Sequence, residues 1–299
     1  MLNLMNVTST QNEACEYGAP TAIVLADKLP GQEIVEVFGE IEAASLVVAG
    51  KSVVEHVLQE LQELKFQQCI VLAGNNAEQV LKRVGNDGRW GMTVNVMQYA
   101  CSTEQVLREF KSVGGEHGLL VIEADKLRGF CVAEFLRLAH MNEHTLLQAQ
   151  SAGHRPGLTL LKPSKADFVI NSMPIELPGV KVNLLHTARD FHQANFDLMA
   201  GKFHGLEPSV LVNRQVGRRQ HWSSHVSRGV AGNWSDVMIE KHCQVGREVR
   251  LNSVILNRDV YVEDHACLDH TIVMPNSMVS AEQVLTDSII HAGTVFQLS

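Results

Sequence analysis

The chain has 299 residues, 45% of them hydrophobic and 19% charged, with a formal net charge of −8. A mean hydropathy of −0.01, with no apolar run as long as a membrane-spanning helix, argues against membrane insertion. The negative charge argues against nonspecific nucleic-acid binding by the whole molecule. Six scattered cysteines (Cys15, Cys69, Cys101, Cys131, Cys243 and Cys267) form no CxxC pair, so neither a disulfide framework nor a zinc ribbon is indicated. Residues 1–18 lack a basic region followed by an apolar stretch and do not read as a secretory signal. A cytoplasmic location is the expectation.

Residues 1–18 are polar and aperiodic and read as a flexible tail. From residue 19 to 212, short apolar runs alternate with helical patterns. Residues 21–26, Thr-Ala-Ile-Val-Leu-Ala, have the composition of a buried strand. Residues 52–65 follow as a helix with Val54, Val57, Leu58, Leu61 and Leu64 on one face, and Ser52 with Glu55 makes a capping box. Residues 69–73 read as a strand, 77–84 as a short helix and 93–97 as another strand. Ser102 with Gln105 caps a helix bearing Val106, Leu107 and Phe110. Residues 119–122 are a strand, and Val132, Phe135 and Leu136 mark the next helix. Apolar strands spaced by amphipathic helices specify an α/β domain with a mostly parallel sheet covered on both faces.

Residues 213–236 are rich in Arg, His, Ser and Gly and contain Trp222 and Trp234. They read as a connector whose tryptophans pack on one neighbour or the other. The competing reading, a basic and aromatic strip for nucleic acid, is disfavoured by its shortness and by the acidity of the chain.

Residues 237–299 obey a different rule. Ile239, Val245 and Leu251 are six apart, as are Val262 and Leu268, then Val273, Val279 and Leu285, then Ile289 and Val295. Small or modest side chains follow four residues later at Cys243, Val249, Ala266, Ser277 and Gly293. The triplets Ser253-Val254-Ile255, Thr271-Ile272-Val273 and Ser288-Ile289-Ile290 recur at spacings of 18 and 17. Eighteen is three sixes, one triangular coil, so a short left-handed parallel β-helix of about three coils is expected.

Three segments carry a family resemblance. Residues 48–57, Val-Ala-Gly-Lys-Ser-Val-Val-Glu-His-Val, look like a V-A-G-K-P-(L/M)-I-E-H-(V/I) helix start. Residues 121–125, Val-Ile-Glu-Ala-Asp, fall where an apolar strand would end in Gly-Asp. Residues 187–195, Thr-Ala-Arg-Asp-Phe-His-Gln-Ala-Asn, look like T-P-x-x-Y-x-x-A-N. In this order, and ahead of hexapeptide repeats, they resemble the sugar-phosphate nucleotidyltransferases. These include the mannose-1-phosphate guanylyltransferases and the glucose-1-phosphate thymidylyl- and uridylyltransferases. The resemblance runs from about residue 19 to the end and implies a Rossmann-like nucleotidyltransferase domain. The implied reaction joins a sugar-1-phosphate to a nucleoside triphosphate with release of pyrophosphate. It needs a phosphate loop, magnesium on carboxylates and a base pocket.

The chain departs from that pattern at most of these places. Where the family has G-x-G-T-R, this chain reads Asp27-Lys28-Leu29-Pro30-Gly31-Gln32-Glu33, with one glycine, no arginine and a proline lacking an amide donor. Asp27, Glu33, Glu36, Glu40 and Glu42 against Lys28 give the stretch a net charge of −4, which repels a polyphosphate. Lys28 is the candidate nucleotide contact there; a solvated lysine is the plain alternative. Ala43 stands where the family's P-K-P lysine is expected, and Leu184 where its second metal carboxylate is expected. Asp125 matches the first metal carboxylate, or else caps the following turn. Gln98 is the candidate base reader, in a segment where Ser102 replaces the family's glycine.

No catalytic residue is assigned. The expectation is a nucleotidyltransferase-like pseudoenzyme, a regulatory or scaffolding subunit in nucleotide-sugar or surface-polysaccharide biosynthesis. It would bind a nucleotide or nucleotide sugar and join a second copy or a partner enzyme through the β-helix. The alternative is an active enzyme with magnesium on Asp125 and positive charge from Lys28 or Lys51. His140, Glu143 and His144 have zinc-like spacing on one helix but no telling third ligand, so they read as surface residues. His242, His265, His270 and His291 are expected at solvent-facing coil corners, not as the general base of an acyltransferase.

Overall fold

The computed structural model describes residues 19–85, 87–163, 172–210 and 219–298, with backbone alone at 87 and 233–235. The expected tail, and the connector as far as residue 218, lie outside the described residues.

Seven strands form one sheet: β1 (Thr21–Ala26), β2 (Gln68–Ala73), β3 (Thr93–Gln98), β4 (Leu119–Glu123), β5 (Leu146–Gln150), β6 (Leu158–Leu161) and β7 (Met173–Glu176). Their order is β7-β5-β6-β4-β1-β2-β3. Neighbours are parallel except at β6, which runs against β4 and β5. The helices are α1 (Gln32–Phe38), α2 (Val53–Glu63), α3 (Ala77–Val84), α4 (Thr103–Glu109), α5 (Val132–His140) and α6 (Ala188–Met199). Strand β1 explains its own composition. Ala22, Val24 and Ala26 enter one core and Ile23 and Leu25 the other, so a period-two strand is apolar on both faces.

From β1 the chain winds outward to β2 and β3, then β4 returns to the other side of β1. The carboxyl ends of β1 and β4 therefore meet where the winding reverses, the usual ligand crevice of open α/β sheets.

The rest of the chain is a stack of short strands: β8 (Arg219–Gln220), β9 (His225–Val226), β10 (Ala231–Ile239), β11 (Gln244–Val245), β12 (Arg250–Leu256), β13 (Tyr261–Val262), β14 (Cys267–Val273), β15 (Met278–Val279), β16 (Val284–His291) and β17 (Thr294–Gln297). They form two ladders, β8-β10-β12-β14-β16-β17 and β9-β11-β13-β15. All pairs are parallel except the last, where β17 folds back against β16. Among the described residues the ladders begin at Arg219, inside the stretch read as a connector.

Val254 pairs with Thr271, and Thr271 with Ser288. The first coil is nineteen residues, with Arg219 beside Met238 and His225 beside Gln244, and the ladder shifts register between Asn233 and Val237. From Val237 onward the repeat is thus seventeen residues, and the expected spacing of 18 between Ser253 and Thr271 was one residue out. The reason lies in the corners. His242, Asp259 and Asn276 take positive φ, as do Glu248, His265 and Glu282, and Ser253, His270 and Asp287. These corners fall at intervals of six, five and six, so one side of each repeat is a residue short.

Val245, Val262, Val279, Leu256, Val273 and Ile290 share an inner core. Met238, Ile255, Ile272 and Ile289 instead join the core of the α/β part. This corrects the expectation that Ile289 points inward: Ile255, Ile272 and Ile289, in register, pack on the sheet-and-helix layers, while Leu256, Val273 and Ile290 beside them line the inner core. Val295 lies in β17 and is 39% exposed. Trp222 is not buried against either part as expected, being 89% exposed with its ring 5.5 Å from that of His221; the side chain of Trp234 lies outside the described residues. No helix among the described residues is long and apolar enough to cross a membrane.

Candidate functional site

The carboxyl ends of β1 and β4 are held side by side. Leu25 is in register with Glu123, and the Ala124 amide donates to the Leu25 carbonyl at 2.8 Å. Lys28 Nζ, just past β1, lies 2.9 Å from Asp125 Oδ2 and 3.5 Å from Glu123 Oε2. Lys126 Nζ lies 2.7 Å from Glu123 Oε2 and 2.9 Å from Asp125 Oδ1. Thr103 Oγ1, on the first turn of α4, donates to Glu123 Oε1 at 2.8 Å. Two ammonium groups and two carboxylates thus close a compact, nearly neutral ring.

Burial alone would raise the Glu123 carboxyl, but Lys126, Lys28 and the Thr103 hydroxyl outweigh it and hold the group at about 2. Burial alone would lower the Lys28 ammonium; Asp125 and Glu123 reverse this and keep it above the usual lysine range. Gly157 makes room for the ring. Its φ is +80°, and a Cβ there would stand 3.0 Å from Glu123 Cβ and 3.4 Å from Lys126 Nζ.

Of the three site residues read from the sequence, Lys28 and Asp125 are brought together, as an ion pair. Gln98 stands apart, exposed at the end of edge strand β3 with β2 between it and β1. Magnesium on Asp125 would compete with lysine, because each carboxylate oxygen has an ammonium group at 2.9 Å, although the buried Oδ1 accepts no hydrogen bond. A cation would have to displace both lysines from a partly buried site. Among the described residues no group of three His, Cys, Asp or Glu is placed to hold a metal. Ala43 is buried and Leu184 exposed, and neither brings charge. Lys51 donates to Gln59 Oε1 at 2.8 Å and lines a different groove, with Arg89 and Trp90.

The crossover after β1 is sealed by packing. A Cβ on Gly31 would stand 1.9 Å from the His186 carbonyl oxygen, so this glycine permits close approach to the start of α6. The acidic residues here also have a structural use that the charge count did not reveal. Asp27 Oδ2 accepts the Cys101 amide at 2.9 Å, Glu33 Oε2 the Ala188 amide at 3.2 Å, and buried Glu42 the Asn76 amide at 2.7 Å. Glu36 and Glu40 remain exposed.

The three resembling segments surround this region. The capping box at Ser52 is present, with the Ser52 amide donating to Glu55 Oε2 at 2.7 Å. His56 Nε2 lies 3.2 Å from the Val48 carbonyl, and burial pushes its imidazole down to about 4. Glu60 pairs with Arg128 at 2.6 Å and accepts the amides of Cys131 and Val132 at the start of α5.

Sequence reasoning gave no role to Glu123 or Lys126. A signal existed: in Glu-Ala-Asp-Lys at a strand end, the period of two puts Glu123 and Asp125 on one side, and the following lysine is the nearest cation. The zinc-like histidines do not share a helix. Helix α5 ends at His140, and His144 Nδ1 lies 2.8 Å from Asn142 Oδ1 beyond it. His242, His265 and His270 are exposed corners, whereas His291 is half-buried with its ring 5.2 Å from that of Phe38. Compared with protein-family models and with curated proteins, the chain matches none.

Proposed function

We propose that this chain is a sugar nucleotidyltransferase-like protein whose catalytic centre has become a structural ion cluster. It serves as a regulatory or scaffolding subunit in nucleotide-sugar or surface-polysaccharide biosynthesis. The observation that carries the reading is the pair of lysines on Asp125, at the reversal point where the ancestral metal would have been held. The sealing of Gly31 against His186 supports it, since the stretch that would wrap a triphosphate is packed against protein. The finer fold belongs to the same reading: the three-cornered, seventeen-residue repeat closes as a short left-handed parallel β-helix. Through it the chain joins a second copy or holds a partner enzyme in the cytoplasm, and a nucleotide or nucleotide sugar remains a candidate ligand.

The test is a coupled assay for pyrophosphate release with each nucleoside triphosphate, several hexose-1-phosphates and magnesium. No turnover above background is expected. Turnover at ordinary rates with any pair would reject the reading in favour of an active enzyme with a rebuilt loop. Light scattering tests the assembly: a monomer that also co-purifies with no enzyme removes the scaffolding role.

A further inference from the structure

A cleft of about 390 Å3 lies between the α/β part and the repeats. Six of its charged lining residues are Glu55, Arg83 and Arg89 from one side and Glu240, Lys241 and Arg258 from the other. The two carboxylates are already engaged. Glu55 accepts the Ser52 amide and pairs with Arg89. Glu240, 9% exposed, accepts the Ser209 hydroxyl and the Arg258 amide. No carboxylate among the described residues forms an ion pair with Arg83, Lys241 or Arg258. Arg83 is half-buried, and its guanidinium is held below its usual range by burial first and by the charge of Arg258 second. Two guanidinium groups, one half-buried and one exposed, thus line one cleft from different parts of the chain. Glu55 and Glu240 offset only part of their charge, an arrangement that is favourable around an anion.

We propose that this cleft is a phosphate site, in which Arg83 and Arg258 clasp one phosphate dianion, free or carried on a small metabolite, with Lys241 adding charge at the mouth. Guanidinium forks match phosphate oxygens in pairs. Because the two arginines come from different parts of the chain, the ligand ties those parts together. The site shares no residue with the Lys28–Asp125 cluster and does not depend on the function proposed above.

Titration calorimetry and thermal shift on the full chain, with orthophosphate, pyrophosphate and ribose 5-phosphate in turn, test it. At least one should bind at one site per chain. At a hundredfold excess over Kd it should raise Tm by about 5 °C, and 0.5 M salt should weaken it. The tightest of the three names the ligand's source. Arg258→Gln, at an exposed corner neighbour, and Arg83→Gln should each weaken binding at least tenfold, while Lys28→Gln leaves it unchanged. No binding by any of the three, equal binding by Arg258→Gln, or loss in Lys28→Gln would overturn the proposal.

Discussion

The side-chain oxygen of Asn195 accepts the amide of Ala49 at 2.7 Å. This single bond joins the Val-Ala-Gly-Lys segment ahead of α2 to the middle of α6. Ala49 takes a φ of 47°, and the Asn195 amide group donates back to the Phe191 carbonyl at 2.8 Å. Both ends are buried. Asn195→Ala leaves the Ala49 amide unpaired in the core, which should cost about 1–3 kcal/mol. The check is a fall in the urea midpoint at constant m-value; an unmoved midpoint would mean that the bond adds nothing.

Lys126→Met removes the more buried of the two ammonium groups on Asp125 and Glu123. The Glu123 carboxyl should then titrate well above about 2, and a divalent cation should find free oxygens. Manganese is expected to raise the melting temperature of Lys126→Met and to leave the natural chain unmoved. An equal rise in both would contradict the view that lysine stands in the cation's place.

Glu60 and Arg128 are both nearly inaccessible to solvent, and Glu60 also binds two amides that begin α5. Glu60→Gln leaves a buried guanidinium without its counter-charge, at a cost of about 3–5 kcal/mol. Equilibrium unfolding should show it. A loss under about 1 kcal/mol would mean that water reaches Arg128.

Acid should destabilise the fold in two stages. The His56 imidazole is held at about 4 by burial, against about 6.5 in an unfolded chain. The unfolded state therefore takes up the proton first, and stability falls as pH drops from about 6.5 to 4, by on the order of 3 kcal/mol. Burial also lowers His192 and His291, which adds loss on the same side. Glu123, held at about 2 against the pull of burial, contributes stability that is lost as pH falls from about 4.5 toward 2. Melting temperature measured from pH 7 to pH 3 should decline throughout. His56→Gln should flatten the upper part of the curve; an unchanged slope would exclude the imidazole as its source.

Strands β1 to β4, helices α2 to α5 and the repeats were legible because each rests on a local pattern: apolar runs such as residues 21–26, the Ser52 and Ser102 caps, and aliphatics near six apart. Helices α1 and α6 were not read. Strands β5 to β7 were not read, since Leu146–Gln150 and Met173–Glu176 are short and polar in places and pair only through tertiary contacts. The seventeen-residue period was blurred by the short side of each repeat, which no composition signals. At the site, Lys28 and Asp125 were singled out by the resemblance, Asp125 at the place of the family's strand-end carboxylate and Lys28 as the one cation where its phosphate loop would be. Their pairing, and the part taken by Lys126, depend on β4 returning beside β1, a long-range choice that spacing along the chain does not encode. The solvent-facing Trp222 was misread because an aromatic in a connector usually finds a neighbour.

The column of Met238, Ile255, Ile272 and Ile289 binds the repeats to the α/β part along their whole length. Evolution can therefore lengthen this stack most simply in whole repeats. Duplicating a full seventeen-residue unit extends the column and keeps every corner in phase. An odd residue must instead be taken up in a bulge, as the first coil's two extra residues are between Asn233 and Val237, or else it slides later side chains out of step with both cores.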